Sequence, residues 1–300
     1  MTPVCGFLAL DKPSGLSSNQ ALQRVKRIYG TRRGGYLGTL DPLATGLLPI
    51  ALGEATKFLP YLLDAPKTYR VEARIGIRTA TGDREGEVIE TGPIPEWTLA
   101  EVARSAEVRV GESLQVPPMY SALKQGGKPL YALARKGIEV ERQPRRIVVD
   151  RVEVLRWAPP ELTLELDCGP GVYIRTWIED WAKSQGTVAH VSQLRRLRVG
   201  AFHAVDMVGI EGLAPFSTAS DPRAGSVALM PLSSALGHLA AITLEPLAGR
   251  RILQGQTVPW VEEIRTPFVR LHGADGAFLG LGSKTASGAL RAVRLVAGGT

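Results

Sequence analysis

The segment Gly38-Thr39-Leu40-Asp41-Pro42-Leu43-Ala44-Thr45-Gly46-Leu47-Leu48-Pro49-Ile50 places one acid inside an otherwise apolar loop. Pro42 favours an extended backbone at Asp41, and the glycines on both sides permit tight turns. An Asp-Pro turn alone is usually structural. A carboxylate anchored among aliphatic side chains is rarer, because burial disfavours its charged form unless a cation compensates. Asp41 is therefore the first candidate for a catalytic residue.

A second segment, Val172-Tyr173-Ile174-Arg175-Thr176, supplies a candidate cation for this acid. An extended backbone there would place Tyr173 and Arg175 on one face, because side chains alternate along a strand. Arg175 would then keep Asp41 ionised, and Tyr173 would form a wall of the same cavity. The alternative interpretation is an ordinary strand that carries a solvated arginine and an edge tyrosine.

Capping signals and apolar periodicity predict the elements around these two segments. Ser17 and Ser18 begin a helix that ends at Gly30, and Thr98 to Glu101 form a capping box that begins another. Apolar runs or alternation predict strands at Val4–Leu10, Tyr69–Ile77 and Leu162–Cys168, and a helix is predicted at Thr176–Gly186. Basic residues crowd the end of the first helix and the next loop, where they are solvated or touch phosphate: Arg24, Lys26, Arg27, Arg32 and Arg33.

The pattern changes towards the end of the chain. Ala214–Ser226 is rich in Ala, Ser, Pro and Gly and is the best candidate for a linker. Short strands are predicted beyond it, separated by glycine-rich turns: Phe268–His272, Phe278–Leu281 and Leu290–Val296. We therefore predict a larger domain at residues 1–225 and a small β-rich domain at 226–300.

Composition limits the kinds of chemistry. The net charge of +7 favours a polyanionic partner, although a basic surface that binds nothing is about as consistent with it. The two cysteines form no CxxC pair and the four histidines have no metal-ligand spacing, so metal catalysis is not expected. No glycine-rich nucleotide loop is present. The sequence has no membrane-length apolar run and no signal-peptide pattern, so a cytoplasmic protein is expected.

Several motifs occur together in one order. They are Lys12-Pro13-Ser14-Gly15, the Gly38–Ile50 segment, Lys67-Thr68-Tyr69-Arg70-Val71, Pro117-Pro118-Met119-Tyr120-Ser121-Ala122, Gly171–Thr176 and Leu194-Arg195-Arg196-Leu197. In this order they resemble the bacterial TruB family of tRNA pseudouridine synthases over about residues 4–205 of the chain. The segment Gly276–Gly282 resembles part of a PUA-type RNA-binding module. The resemblance implies an α+β fold, with a mixed-sheet catalytic domain around a cleft and a small C-terminal PUA-like domain.

The resemblance also implies roles for individual residues. Asp41 matches the catalytic aspartate, and Arg175 matches its basic partner. Tyr69 matches a tyrosine that stacks on the target base and helps to remove its C5 proton. The other matches are implied to bind the substrate or to support the catalytic loop: Tyr173 and Leu194 in the uridine pocket, Asp83 near the bound nucleotide, and Lys12 beneath the loop.

One position departs from the family pattern. The family carries a histidine before the catalytic loop, which stacks in the RNA where the flipped base had been, and this chain has Tyr36 there. A tyrosine can stack but carries no positive charge near neutral pH. We expect Tyr36 to bind the substrate, with Gly34, Gly35 and Gly38 leaving the backbone free to approach RNA.

The activity that the resemblance implies is conversion of uridine to pseudouridine at position 55 in the T-loop of tRNA, with base flipping and without cofactor or metal. Asp41 would either attack C1′ or remove a proton from C2′. We expect a monomer that binds the tRNA T-arm and needs no protein partner. The alternatives are a synthase for another RNA uridine, a tRNA-binding or tRNA-folding protein whose chemistry is secondary, and a base-excising glycosylase.

Overall fold

The computed structural model describes residues 4–213, 229–261, 263–264 and 266–296. The predicted linker Ala214–Ser226 lies outside the described residues. The described part contains six α-helices: α1 (Ser18–Ile28), α2 (Leu99–Glu107), α3 (Leu130–Ala134), α4 (Ile174–Ser184), α5 (Leu232–Ala235) and α6 (Pro246–Leu253). None of them is long and apolar enough to cross a membrane. Three 3-10 helices add Gly53–Leu62, Ala204–Asp206 and Ile210–Gly212.

The described part also contains eighteen strands. Ten belong to one large sheet: β1 (Gly6–Lys12), β2 (Gly34–Tyr36), β3 (Thr45–Leu52), β4 (Lys67–Ile75), β7 (Gly111–Gln115), β10 (Arg145–Ala158), β11 (Glu161–Cys168), β12 (Ala189–Val199), β13 (Phe202–His203) and β14 (Val208–Gly209). Two small hairpins pair β5 (Ile77–Thr79) with β6 (Val88–Thr91) and β8 (Lys124–Gln125) with β9 (Lys128–Pro129). The last sheet contains β15 (Ala241–Thr243), β16 (Val269–His272), β17 (Phe278–Lys284) and β18 (Leu290–Leu295).

The large sheet is mixed, as predicted. Its strand order is β14-β1-β3-β12-β4-β11-β10-β7, with β2 paired to β3 and β13 to β12. The β3–β12 and β1–β14 pairs are parallel, whereas the other pairs are antiparallel. The loop before β3, the first half of β4, β12 and the start of α4 converge on one cleft, which holds the candidate site.

Both faces of the sheet are covered at β1, which explains the unbroken apolar run of this strand. Leu8 and Leu10 face one hydrophobic core, and Phe7 and Ala9 face a second core on the other side. A strand buried on both faces needs no polar alternation. β4 shows the half-buried pattern, because its inward residues are buried while Arg70 and its other outward arginine are exposed.

The predicted capping box at Thr98 and the predicted helix start at Ser17 and Ser18 are both confirmed, and each helix begins with a capping box. Ser17 caps α1 through the amide of Gln20, whose side chain bonds back to Ser17, and Thr98 and Glu101 cap α2 in the same way. Each cap satisfies amides that the first turn of a helix leaves without partners. Local sequence therefore fixes where these two helices begin.

The expectation of an extended backbone over residues 172–176 is wrong. Helix α4 begins at Ile174, two residues before the predicted start, and Tyr173 is its extended N-cap residue. Ile174, Trp177, Ile178 and Trp181 are all buried and follow helical spacing, so their burial favours an early start of the helix. Arg175 lies in the first turn and not on a strand face.

The C-terminal β sheet has its own apolar core, together with α6. It also contributes to the second core of the larger domain, where Leu281 is fully buried. Phe278 contacts Phe58, and Phe268 contacts Tyr61, with ring centroids 5.8 Å and 4.9 Å apart. Deleting the small domain would expose this shared core, so its role is better tested by surface substitutions.

Candidate active site

The loop that carries Asp41 is held from below by two side chains. Ser18, at the start of α1, donates to the carbonyl of Leu40 at 2.9 Å and accepts from its amide at 2.8 Å. Lys12 is fully buried and donates from Nζ to the carbonyls of Leu16 at 2.6 Å, Pro13 at 2.9 Å and Pro42 at 3.3 Å. These bonds fix the backbone on both sides of Asp41.

Lys12 therefore supports the loop, the place that the motif match implies for it, and its contact with the substrate stays a prediction. Its ammonium group is directed at main-chain carbonyls, and it is not among the residues that line the cleft. Burial lowers the pKa of Lys12 to about 8, and the negative charge of Asp41 opposes that shift. In this structure the side chain acts on the catalytic loop through these carbonyls.

Asp41 and Arg175 form the predicted ion pair. Arg175 Nε lies 3.0 Å from Asp41 Oδ2, its Nη2 donates to the carbonyl of Tyr120 at 2.7 Å, and its Nη1 donates to the carbonyl of Thr81. The Arg175 side chain is 4% exposed, whereas that of Asp41 is 36% exposed. The cation is held behind the acid, and the carboxylate keeps a free side towards the cleft.

A cavity of about 310 Å³ lies in front of this carboxylate. Its volume falls in the range of small-ligand sites. Tyr69 and Tyr173 line it together with Leu194 and Asp41, so the structure brings together four residues that the sequence had placed in the site. Gln115 holds Tyr173 at its backbone, since its side chain accepts from the Tyr173 amide at 2.9 Å and donates to the Tyr173 carbonyl at 3.1 Å.

Tyr69 lies on β4 and is 7% exposed. Burial raises the pKa of its hydroxyl, and the nearby Arg196 guanidinium, which also hydrogen bonds to it, lowers the pKa by a smaller amount. The phenol is therefore neutral near physiological pH. It offers the cavity an aromatic surface and a hydroxyl that can donate or accept.

Arg196 is the most important residue of the cleft that the sequence prediction missed. It is fully buried and donates to the carbonyls of Leu47 at 2.7 Å and Gly38 at 2.9 Å. Gly38 has φ +70°, where other residues are strained, and a Cβ there would crowd Arg196 Nη1 at 3.0 Å. The signal was available, because strand alternation places Arg196 on the same face as the inward Leu194.

Asp83 does not line the cavity. Its Oδ2 lies 3.8 Å from Arg175 Nε, and its Oδ1 accepts from the Thr81 hydroxyl at 2.6 Å and from the Glu85 amide at 3.1 Å. Its predicted place near the bound nucleotide stays a prediction. The side chain is a second, buried acid beside Arg175.

Tyr36 is half-buried on β2, where it pairs with Ile50 and packs against the core, and it does not line the cavity. The expectation about the neighbouring glycines is wrong. A Cβ on Gly35 would lie 2.7 Å from Leu59 Cδ1, so the glycine leaves room for the Leu59 side chain and not for RNA. Gly38 makes room for Arg196 in the same way.

Comparison with known proteins gives the class and then the family. Residues 26–174 match the family model of the TruB family pseudouridylate synthase N-terminal domain, and residues 240–296 match that of the pseudouridine synthase II TruB C-terminal domain. The fold and the matches to these two domain families together define a pseudouridine synthase. The chain belongs to the TruB family.

Individual relatives cover almost the whole chain. A protein of Nitrosococcus oceani named tRNA pseudouridine synthase B is 44% identical over 291 residues, which cover 97% of this chain and 94% of that protein. A Coxiella burnetii protein of the same name is 42% identical over 294 residues, with 98% and 95% covered. Among solved structures, a Cbf5-Nop10-Gar1 complex contains a chain that is similar with a TM-score of 0.74 and 25% identity, covering 93% of this chain and 78% of that one.

Proposed function

We propose that this chain converts uridine to pseudouridine at position 55 in the T-loop of tRNA, with Asp41 as the catalytic carboxylate. The relatives named tRNA pseudouridine synthase B support the reaction and the substrate. The observation that carries the residue assignment is the asymmetry of the ion pair. Asp41 is accessible from the cavity, while its cation Arg175 is buried behind it.

The chemistry needs an anionic oxygen next to the ribose. The N1–C1′ bond breaks, the uracil turns over, and C5 bonds to C1′ while C5 loses its proton and N1 gains one. Asp41 either attacks C1′, as a retaining glycosidase does, or removes the C2′ proton to give a glycal. Both routes need the ionised carboxylate, which the adjacent Arg175 stabilises.

The target uridine must leave the stack of the T-loop to reach the cavity. Flipping costs a few kcal/mol, which stacking and pocket contacts offset. We assign Tyr69 to contact with the flipped base, together with help in removing the C5 proton. Tyr173 and Leu194 complete the walls around the base, and Arg175 is assigned to the carboxylate and not to the RNA.

Release of the C5 proton gives a direct test. A tRNA transcript with tritium at C5 of every uridine should release one equivalent of tritium per tRNA. Only C5 of the target uridine loses its hydrogen, when it bonds to C1′. A transcript with cytidine at position 55 is the control and should release none. Tight tRNA binding without tritium release would instead favour the binding or folding protein, and release from the cytidine-55 transcript would favour another target uridine.

We further propose that catalysis needs no metal. The reaction adds and removes no atoms overall, so it requires no redox group and no activated water. Dialysis against EDTA should leave the rate on folded tRNA unchanged, within about twofold. Magnesium must be restored equally in all samples, because it folds the RNA. A strict requirement for added zinc would contradict the prediction.

We propose that residues 226–300 form a domain that adds affinity and takes no part in chemistry, and that the enzyme acts as a monomer without a protein partner. Among the described residues of this region, four arginines are exposed: Arg250, Arg251, Arg291 and Arg294. Their joint substitution by Gln should raise KM and flatten the salt dependence of tRNA binding, because phosphate contacts are lost. The single-turnover rate at saturation should stay the same. A large fall in that rate would place this domain in the chemistry.

Tyr36 tests the departure from the family pattern. If its ring fills the gap left by the flipped base, the contribution is stacking, worth about 1–3 kcal/mol. Tyr36→Ala should then lower kcat/KM for tRNA by roughly tenfold to a hundredfold, whereas Tyr36→Phe should be nearly silent. An equal loss in both variants would assign the effect to the hydroxyl. Normal activity of Tyr36→Ala would make the residue structural.

A further inference from the structure

One segment of the chain carries nearly all of its excess charge. Residues 12–40 contain six cationic side chains and neither Asp nor Glu, whereas the whole chain has a net charge of +7. Lys12 is buried beneath the catalytic loop, so the remaining five cations belong to α1 and to the return through β2. We call residues 18–36 the basic hairpin.

The base of the basic hairpin adjoins the candidate active site. Ser18 begins α1 and is hydrogen bonded to Leu40, the residue before Asp41. The buried residues of α1 face the core of the protein, while its exposed residues point outward: Asn19, Gln20, Gln23, Arg24 and Arg27. With a rise of about 1.5 Å per residue, Arg24 and Arg27 lie about 9 Å and 14 Å along the helix from Ser18.

Four of these five cations have no ion-pair partner among the described residues. Within the described residues, no carboxylate lies within ion-pair distance of Arg24, Lys26, Arg27 or Arg32, whereas Arg33 pairs with Glu54 at 2.6 Å. On the outer surface of the sheet, by contrast, Arg70 and Arg74 each pair with a glutamate of β11. Grouped cations without counter-charges repel each other, and an anionic ligand removes that repulsion.

We propose that the basic hairpin binds phosphates of the RNA strand adjacent to the flipped uridine, with Arg24 and Arg27 as the principal contacts. The inference rests on the proposed function. Phosphate is favoured because arginine forks bind it in bidentate fashion. The neighbouring Gln20 and Gln23 add amide donors that suit phosphate or the ribose 2′-hydroxyl. The hairpin is a binding surface, and the reacting atoms lie beyond its reach.

The double substitution Arg24→Gln with Arg27→Gln tests this surface. The matched control is Arg104→Gln with Arg156→Gln, which removes two exposed arginines of α2 and β10 that lie outside the cavity lining. In the hairpin variant, Kd and KM for unmodified tRNA should rise by about tenfold at moderate salt. The negative slope of log Kobs against log salt should become shallower by about 2, because two phosphate contacts are lost. The saturated single-turnover rate and the melting temperature should match those of the wild type.

The isolated T-arm stem-loop locates the contact. The hairpin variant should lose as much affinity for the stem-loop as for whole tRNA, because the basic hairpin adjoins the cavity. Equal salt slopes in the hairpin and control variants would overturn the inference, and so would a loss confined to whole tRNA. If the wild type releases no tritium from tRNA, the proposed function fails. If the wild type releases tritium but the hairpin variant binds tRNA as tightly as the wild type does, only this inference is refuted.

Discussion

Asp41→Asn is expected to lower kcat by about four orders of magnitude or more, the scale of losing a catalytic nucleophile or base. Asparagine has nearly the shape of aspartate and its oxygen can still accept from Arg175 Nε, which lies 3.0 Å from Asp41 Oδ2. It can neither attack C1′ nor take a proton from C2′. Binding of tRNA should change by less than about threefold, because phosphate contacts and the shape of the RNA surface remain.

The measurement is single-turnover tritium release at saturating enzyme, with binding followed separately on unmodified tRNA. Asp150→Asn is the matched control, since it neutralises an exposed acid on β10 by the same chemical change. It should retain the wild-type rate. A similar loss of rate in both variants would show that removing any negative charge slows the reaction. Appreciable turnover by Asp41→Asn would show that Asp41 is not the catalytic carboxylate.

Arg196→Met is expected to lower the free energy of unfolding by about 4 kcal/mol, since each buried acceptor left without a donor costs about 1–3 kcal/mol. The carbonyls that lose donors belong to Leu47 and Gly38, on both sides of the catalytic loop. Typical domains are stable by only about 5–15 kcal/mol, so this single change removes much of the total. Chemical denaturation followed by circular dichroism measures the loss.

The neighbouring arginine provides the control. Arg195 has 40% of its side chain exposed and pairs with Asp11 at 2.7 Å, so Arg195→Met should cost less than about 1 kcal/mol. The two substitutions are chemically the same and adjacent on β12. Similar losses of stability in both would show that the buried hydrogen bonds of Arg196 contribute little.

Features set by short-range chemistry could be predicted from the sequence. The capping boxes at Ser17 and Thr98 begin α1 and α2, because the groups that satisfy the first turn lie within three residues. The single acid of the apolar loop and its cation were also found, and the ion pair of Asp41 with Arg175 is present. The pairing was correct although the backbone assumed for Arg175 was not.

Features that depend on distant packing could not be predicted. The early start of α4 follows from burial of Trp177 and Trp181, which local patterns between residues 172 and 176 do not reveal. The burial of Arg196 depends on β12 lying between β3 and β4, so that carbonyls on either side of the catalytic loop meet its guanidinium. A motif match gives proximity along the chain but not the direction of a side chain. It therefore could not predict that the Lys12 ammonium bonds to main-chain carbonyls, or that Asp83 lies outside the cavity lining.

The most direct test maps pseudouridine at nucleotide resolution in an unmodified tRNA after incubation with wild-type protein or with Asp41→Asn. We predict pseudouridine at position 55 and at no other uridine with the wild type, and none with Asp41→Asn at equal occupancy of the RNA. Pseudouridine at a different position, or at position 55 with the asparagine variant, would contradict the proposed reaction at Asp41.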